Sequence, residues 1–295
     1  MKQFEEIKKE ILERAHNARA CTIQYKRAYQ SENLETLCNV IKDNFWWCCR
    51  NNVLDGELID KYKKIFSDNK IYHNVSIKSG FLLASGNSTV EASGNSTVKA
   101  YDNSTVKASG NSTVKAYGNS TVQAYGNSTV EASSNSTVKA SGNSTVKAFG
   151  NSTVKASGNS TVEAFGNSTV KAYGNSTVEA YDNSTVQAYG NSTVKAFGNS
   201  TVQAYGNSTV EASGNSTVQA YGNSTVEAYD NSTVQAYGNS TVKASGNSTV
   251  EAYDNSYINC RSTIECVLKD NSIVRKWDTN TIQYVSDNLK FEKKY

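Results

Sequence analysis

The 295-residue chain has no proline, one methionine and two histidines. With no proline, every residue keeps a backbone N–H and a free φ, which suits uninterrupted hydrogen-bonded ladders. His16 and His73 are the only imidazoles, so residues 74–295 have none for acid–base work or metal binding. No run of about eighteen apolar residues is present, so no segment reads as a membrane-spanning helix. The first twenty residues are charged and amphipathic and lack the apolar stretch of a secretion signal, which sets the expectation of a cytoplasmic protein. Hydrophobic residues make up 37% and charged residues 19%, too little for a thick conventional core. The β-branched residues are nonetheless too regular for a disordered chain. A net charge of +3 is too weak to imply nucleic acid by itself.

What is present is a repeat. From Ala84 to Glu251 the chain cycles every eight residues through Ala, Ser/Tyr/Phe, Gly/Asp, Asn, Ser, Thr, Val and Lys/Glu/Gln, and a last octad begins at Ala252. A short fixed period is the signature of a solenoid. Each octad reads as one short strand and one Gly-Asn or Asp-Asn turn. Side chains alternate between the faces of a strand. The Lys/Glu/Gln position must face water, which sends Thr and the Ser/Tyr/Phe position outward and Ser, Val and Ala inward. Asp102, Asp182, Asp230 and Asp254 stand in the Gly position, as does the poorer substitute Ser134, and Asp and Asn tolerate left-handed backbone better than most residues.

The variable positions set the coil length. Gln123, Gln187, Gln203, Gln219 and Gln235 are separated by multiples of sixteen, and so are Phe149, Phe165 and Phe197. Two octads therefore form one coil, which predicts a mainly β, two-sided parallel β-solenoid of sixteen-residue coils. Twenty-two octads make eleven coils, a rod of roughly 50 Å at the usual strand spacing. Its interior is thin, so stability must come from continuous backbone bonding and from identical side chains stacked along the axis, the Asn column being the obvious amide ladder.

The ends differ in texture. Residues 1–73 read as a helical N-terminal capping domain, residues 74–259 as the octapeptide solenoid and residues 260–295 as a C-terminal β cap. Three helices are expected: one carrying Phe4, Ile7, Ile11, Leu12 and Ala15; one capped by Ser31 and carrying Leu34, Leu37, Ile41, Phe45 and Cys48; and one following Asp55-Gly56 with Leu58, Ile59, Tyr62, Ile65 and Phe66. Trp46, Trp47, Cys48 and Cys49 read as core. Phe81 and Leu83 put apolar groups at outward positions, where the helical domain is expected to fold against the first coil and cap it. At the far end Cys260 and Cys266 take the inward places of Ala and Val. Ile264, Ile273, Val274, Trp277, Ile282, Tyr284 and Phe291 suggest a plug that closes the last coil.

Chemistry has little to stand on. Cys38 and Cys49, on one predicted helix, lie about 16 Å apart, no Cys-x-x-Cys pair exists, and the six cysteines read as reduced structural thiols with no metal site. The twenty-one Asn-Ser-Thr sequons matter only in a secreted eukaryotic protein. No cofactor motif is present and the array offers the same Ser, Thr and Glu at every rung, so no enzyme is expected. Calcium binding of the β-roll type lacks its Gly-Gly-x-Gly-x-Asp turn. Ice binding by a Thr face is weakened because each Thr column stands beside Lys, Glu or Gln. The strip Lys139, Lys155 and Lys171 suggests nucleic acid, but the array as a whole carries nine lysines against seven glutamates and four aspartates, a net charge of −2. The sharpest candidate is the outward column Tyr173, Tyr189, Tyr205, Tyr221, Tyr237 and Tyr253, which either stabilises the solenoid by stacking or offers a surface to a protein or glycan.

The octad Ala-Tyr-Gly-Asn-Ser-Thr-Val-Glu, preceded by a short helical domain and followed by the segment from Thr281 to Glu292, resembles octapeptide-repeat proteins of gut bacteria and their phages. The resemblance implies a prokaryotic or viral setting, cytoplasmic or virion-associated, and carries no functional residue over. The expected function is a non-catalytic structural or interaction module. The alternative is a ligand-binding solenoid for glycan or protein, with ice the weakest target.

Overall fold

A computed structural model describes residues 2–285. The fold is a parallel β-solenoid of about 12 sixteen-residue coils with a small helical region at its N-terminal side. The chain divides into two compact units, Met1–Val130 and Glu131–Tyr295. The segment from Ser286 onward, including Phe291 and most of the C-terminal motif, lies outside the described residues.

In the second unit the strands form two parallel sheets that alternate along the chain. Each strand up to Ile273–Lys276 pairs with the one sixteen residues away, as in Thr185–Ala188 with Thr201–Ala204. The register is strict: Thr on Thr, Val on Val, Gln187 on Gln203, Ala on Ala. Lys195 belongs to the opposite sheet, between Glu179 and Glu211. The coil is two octads, as the spacing of Gln and Phe requires.

Val and Ala fill the interior; Val202 and Ala204, for example, are fully buried. Ser at the inward corner is buried just as completely. A buried hydroxyl needs a partner, and Ser200 Oγ donates to the Phe197 carbonyl at 2.7 Å, closing the turn; Ser208 and Ser224 repeat the bond. Asn at the turn forms the expected ladder: Asn207 Nδ2 donates to Asn191 Oδ1 at 3.4 Å, and Asn223 to Asn207 at 3.4 Å. The Gly position is left-handed throughout, with φ between 55° and 63° at Asp102, Ser134, Asp182, Asp230 and Asp254.

The first unit holds six helices: α1 (Lys2–Asn17), α2 (Thr22–Tyr29), α3 (Leu34–Asp43), α4 (Phe45–Arg50), α5 (Gly56–Lys61) and α6 (Lys63–Asp68). The expected second helix is two, because Asn44 leaves helical geometry at φ −116° and ψ 24° while its amide donates to the Val40 carbonyl at 2.8 Å. Cys38 and Cys49 therefore sit on different helices. Asn33, not Ser31, caps α3 through a bond from the Thr36 N–H. The Ser31 hydroxyl instead donates to the Arg27 carbonyl behind it. The third expected helix is likewise split at Tyr62, and Asp55 caps its first half. Helix α2 has no counterpart in the expectation.

The first sheet begins with β1 (Ile71–His73) on β2 (Gly80–Ala84), and the other with the single residue Ile77 bridged to Ala92. The helical core lies over the outward face of the first rungs. Phe81 meets Phe45 edge-on at 5.1 Å, Leu83 is 4% exposed, and Lys99 at the next rung is 1% exposed with Nζ donating to the Trp46 carbonyl at 2.8 Å.

At the C-terminal side, strand Ile273–Lys276 is joined by an antiparallel strand, Thr281–Tyr284. Antiparallel pairing ends the coil-by-coil ladder on that sheet. Ile264 and Val274 are buried, but Trp277, Ile282 and Tyr284 are about half exposed, at 48%, 50% and 46%. Among the described residues, the expected plug is represented by buried Ile264 and Val274 and by a half-exposed hairpin edge. No helix among the described residues is long and apolar enough to cross a membrane.

Candidate functional site

The six tyrosines singled out from the sequence come together as one column in the second unit. Each follows the last Ala of a strand, where the chain turns outward. Successive ring centroids from Tyr173 to Tyr253 are 4.9, 4.9, 4.9, 5.0 and 4.6 Å apart, and neighbouring planes diverge by no more than 12°. That spacing is the rung height of the solenoid, so the backbone imposes face-to-face stacking on rings that would otherwise offset further.

Both ends of the column are closed by cations. Lys155 Nζ sits over the Tyr173 ring at 5.1 Å and Lys269 Nζ over Tyr253 at 4.6 Å. The interior ring faces are covered by neighbouring rings, and a lysine ammonium lies beside each terminal ring. All six rings are half-buried, and their edges and hydroxyls meet solvent. The stacked neighbours desolvate Tyr205 and Tyr237 and raise their hydroxyl pKa above the ordinary value.

Beside the rings runs a chain of amides. Gln187 Nε2 donates to Gln203 Oε1 at 2.9 Å, Gln203 to Gln219 at 3.0 Å and Gln219 to Gln235 at 3.0 Å. Gln235 then donates to the Glu251 carboxylate at 3.2 Å, which also accepts from the Tyr253 hydroxyl at 2.8 Å. The Tyr253 hydroxyl and then the Gln235 amide hold the Glu251 carboxyl below its ordinary pKa. Amide chain and ring stack thus join at Glu251–Tyr253, where Lys269 Nζ also donates to the Tyr253 hydroxyl at 3.2 Å.

The opposite face carries a second stack that single-position reading missed. Phe149, Phe165, Tyr181 and Phe197 stack at 5.1, 4.8 and 5.1 Å, Tyr181 filling the gap in the Phe spacing. The signal was available: Phe and Tyr interchange at one octad position, so the sixteen-residue spacing should be read over both. The lysine strip is also real, with Lys139, Lys155 and Lys171 in direct register, but Lys155 is engaged by Tyr173. Among the described residues no cluster of three metal-ligating side chains exists. In the helical region an apolar cleft of about 240 Å³ is lined by Ile11, Tyr25, Ile41, Trp47 and Cys48. The neighbouring Asn44 amide is already spent on Val40 and Gln24.

No known protein family, curated protein or solved structure matches the chain.

Proposed function

We propose that the protein is a non-catalytic structural or interaction module, a β-solenoid that holds Thr, Tyr and mixed-charge columns at fixed spacing. The observation that carries this reading is the stacked tyrosine column: six rings whose faces are taken by one another, with Lys155 and Lys269 at its two ends. A sugar stacking on tyrosine needs an open ring face, and along its length the column offers only edges and hydroxyls. Its contribution is cohesion along the axis, with stacked pairs each contributing about 0.5–1.5 kcal/mol beyond burial. A protein partner that meets the ring edges is the second reading, favoured by the length of the half-exposed strip. The cytoplasmic or virion-associated setting accompanies the proposal through the resemblance of the repeat.

Serine is native at this position in other octads, for example Ser141, Ser157 and Ser213, so the test uses a replacement that the fold already accepts. Changing Tyr189, Tyr205, Tyr221 and Tyr237 to Ser should keep the β signature in circular dichroism while lowering the melting temperature. If the variant melts like the parent but no longer retains a protein that the parent captures from host extract, the column is a binding surface and the stabilising role is wrong.

A further inference from the structure

Between Cys260 and Lys276 the inward positions of the last coils break the rule of the repeat five times, and three of the replacements carry a thiol or a charge. Cys260 stands in the column of Ala244, and Cys266 in the column of Val250. One coil beyond Cys260, that same column holds Lys276. A lysine pointing into a Val/Ala interior needs partners, and Lys276, 6% exposed, has them: Nζ donates to the Ile264 carbonyl at 2.6 Å and lies 3.7 Å from Cys266 Sγ. The two sulfurs face each other across the interior at 3.6 Å. Cys260 is sealed from solvent, whereas Cys266 is half-buried on strand Glu265–Leu268, the last strand of its sheet among the described residues. A small reagent thus has one way in.

The electrostatics favour reaction. The hydrogen bond from Cys266 is the largest influence on Cys260 and lowers its pKa to about 7; burial and the Asp278 charge oppose it, and the Lys276 charge assists. The same hydrogen bond, and then burial, makes Cys266 hold its proton harder. In the helical region burial pushes Cys38 up to about 11 and Cys48 and Cys49 up to about 12, which keeps those thiols inert.

We propose that Cys260 and Cys266 form a redox-active dithiol that exchanges with low-molecular-weight disulfides, with Lys276 as its electrostatic partner. Proton transfer from Cys266 to the Cys260 thiolate across the 3.6 Å contact places the negative charge on the accessible Cys266, which attacks one sulfur of the small disulfide; that S–S bond breaks and the departing thiolate takes up one proton. Cys260, as thiolate, then attacks Cys266 Sγ in the mixed disulfide and expels the second small thiolate, which takes up the other proton. Two protein thiols are oxidised to one disulfide and one small disulfide is reduced to two thiols; excess small thiol reverses the sequence.

The test treats the full chain with oxidised glutathione, quenches with acid, alkylates the remaining thiols and digests with trypsin. Cleavage after Arg261 separates the two cysteines, so their disulfide appears as a cross-link between the peptide ending at Arg261 and the peptide beginning at Ser262. The cross-link should form while Cys38, Cys48 and Cys49 remain alkylatable, and its rate should rise with a midpoint below the ordinary thiol range near pH 8.5. Lys276→Met should slow it about tenfold at neutral pH, the effect of roughly one pKa unit, while Lys276→Arg retains it. A persistent glutathione adduct on Cys266 without the cross-link would overturn the proposal. So would a pH midpoint at the ordinary thiol value, a measurement on the unaltered chain that stands even if the lysine variants fail to fold.

Discussion

The Gly/Asp position shows how much one residue of the octad carries. Sequence reading accounts for Asp there by its tolerance of left-handed backbone, and the structure adds a second reason. Asp182 Oδ2 accepts the N–H of Gly166 one coil earlier at 3.1 Å, Asp230 does the same for Gly214 at 3.0 Å, and Asp254 for Gly238 at 2.8 Å. The carboxylate reaches back to a turn donor that points along the axis. At Gly222 the φ is +70° and a Cβ would lie 3.2 Å from the Gly206 carbonyl oxygen. Gly222→Ala should therefore cost about 1 kcal/mol. Gly222→Asp, with the same steric burden, should recover most of it by accepting the Gly206 N–H. Equilibrium urea unfolding of the two variants checks this; equal losses would mean that the carboxylate contributes nothing.

At the level of elements, the solenoid was legible and the helices were only partly so. Eight residues repeated many times offer many independent chances to see which positions tolerate charge, so phase, coil length and turn type all emerge from Lys/Glu/Gln, Gln123 to Gln235 and Gly/Asp. The helical region is read once, and a single asparagine at 44 with its own side-chain bond decides where a helix stops. The stacked tyrosines followed from spacing alone, but their lysine ends did not, because they depend on which way two flexible side chains lie. Lys99 marks the same limit. Its column faces water elsewhere, yet here the Trp46 carbonyl of α4 and the rings of Tyr101 and Tyr117 enclose it. Burial, the largest cause, drives its pKa down from 10.5 to about 8, with Arg50 and Lys115 acting in the same direction. A base with a depressed folded-state pKa gives up stability when charged: its contribution is complete above 10.5 and is lost as pH falls through 8. Stability of the parent relative to Lys99→Met should thus rise between these values, by roughly 3.5 kcal/mol at about 1.4 kcal/mol per unit. Parallel denaturation series across this range measure the difference, and a flat difference contradicts the burial argument.

For the whole molecule, the coils of the second unit are interchangeable while its last strands are not. Removing residues 172–187 rejoins Lys171 to Ala188 with register and phase intact, so the loss should be about one coil's share of burial. Removing only 172–179 delivers every later strand to the opposite sheet and sends the Gln and Tyr columns to the wrong neighbours. Ending the chain after Asn259 removes the strand Glu265–Leu268 and the antiparallel hairpin, and opens a Val/Ala edge to association. Melting temperature and light scattering should rank the coil deletion as mildest and the truncation as worst. Aggregation of the first with a monomeric, equally stable truncation would reverse the assignment of the ends. The two-octad coil also bears on inheritance. Near-identical coding repeats invite misalignment during replication, and a slip by one octad is as easy for the polymerase as a slip by two. Only the even slips leave a protein whose two faces still match, so selection acting on folded product should keep lineages of this gene at lengths that differ by pairs of octads.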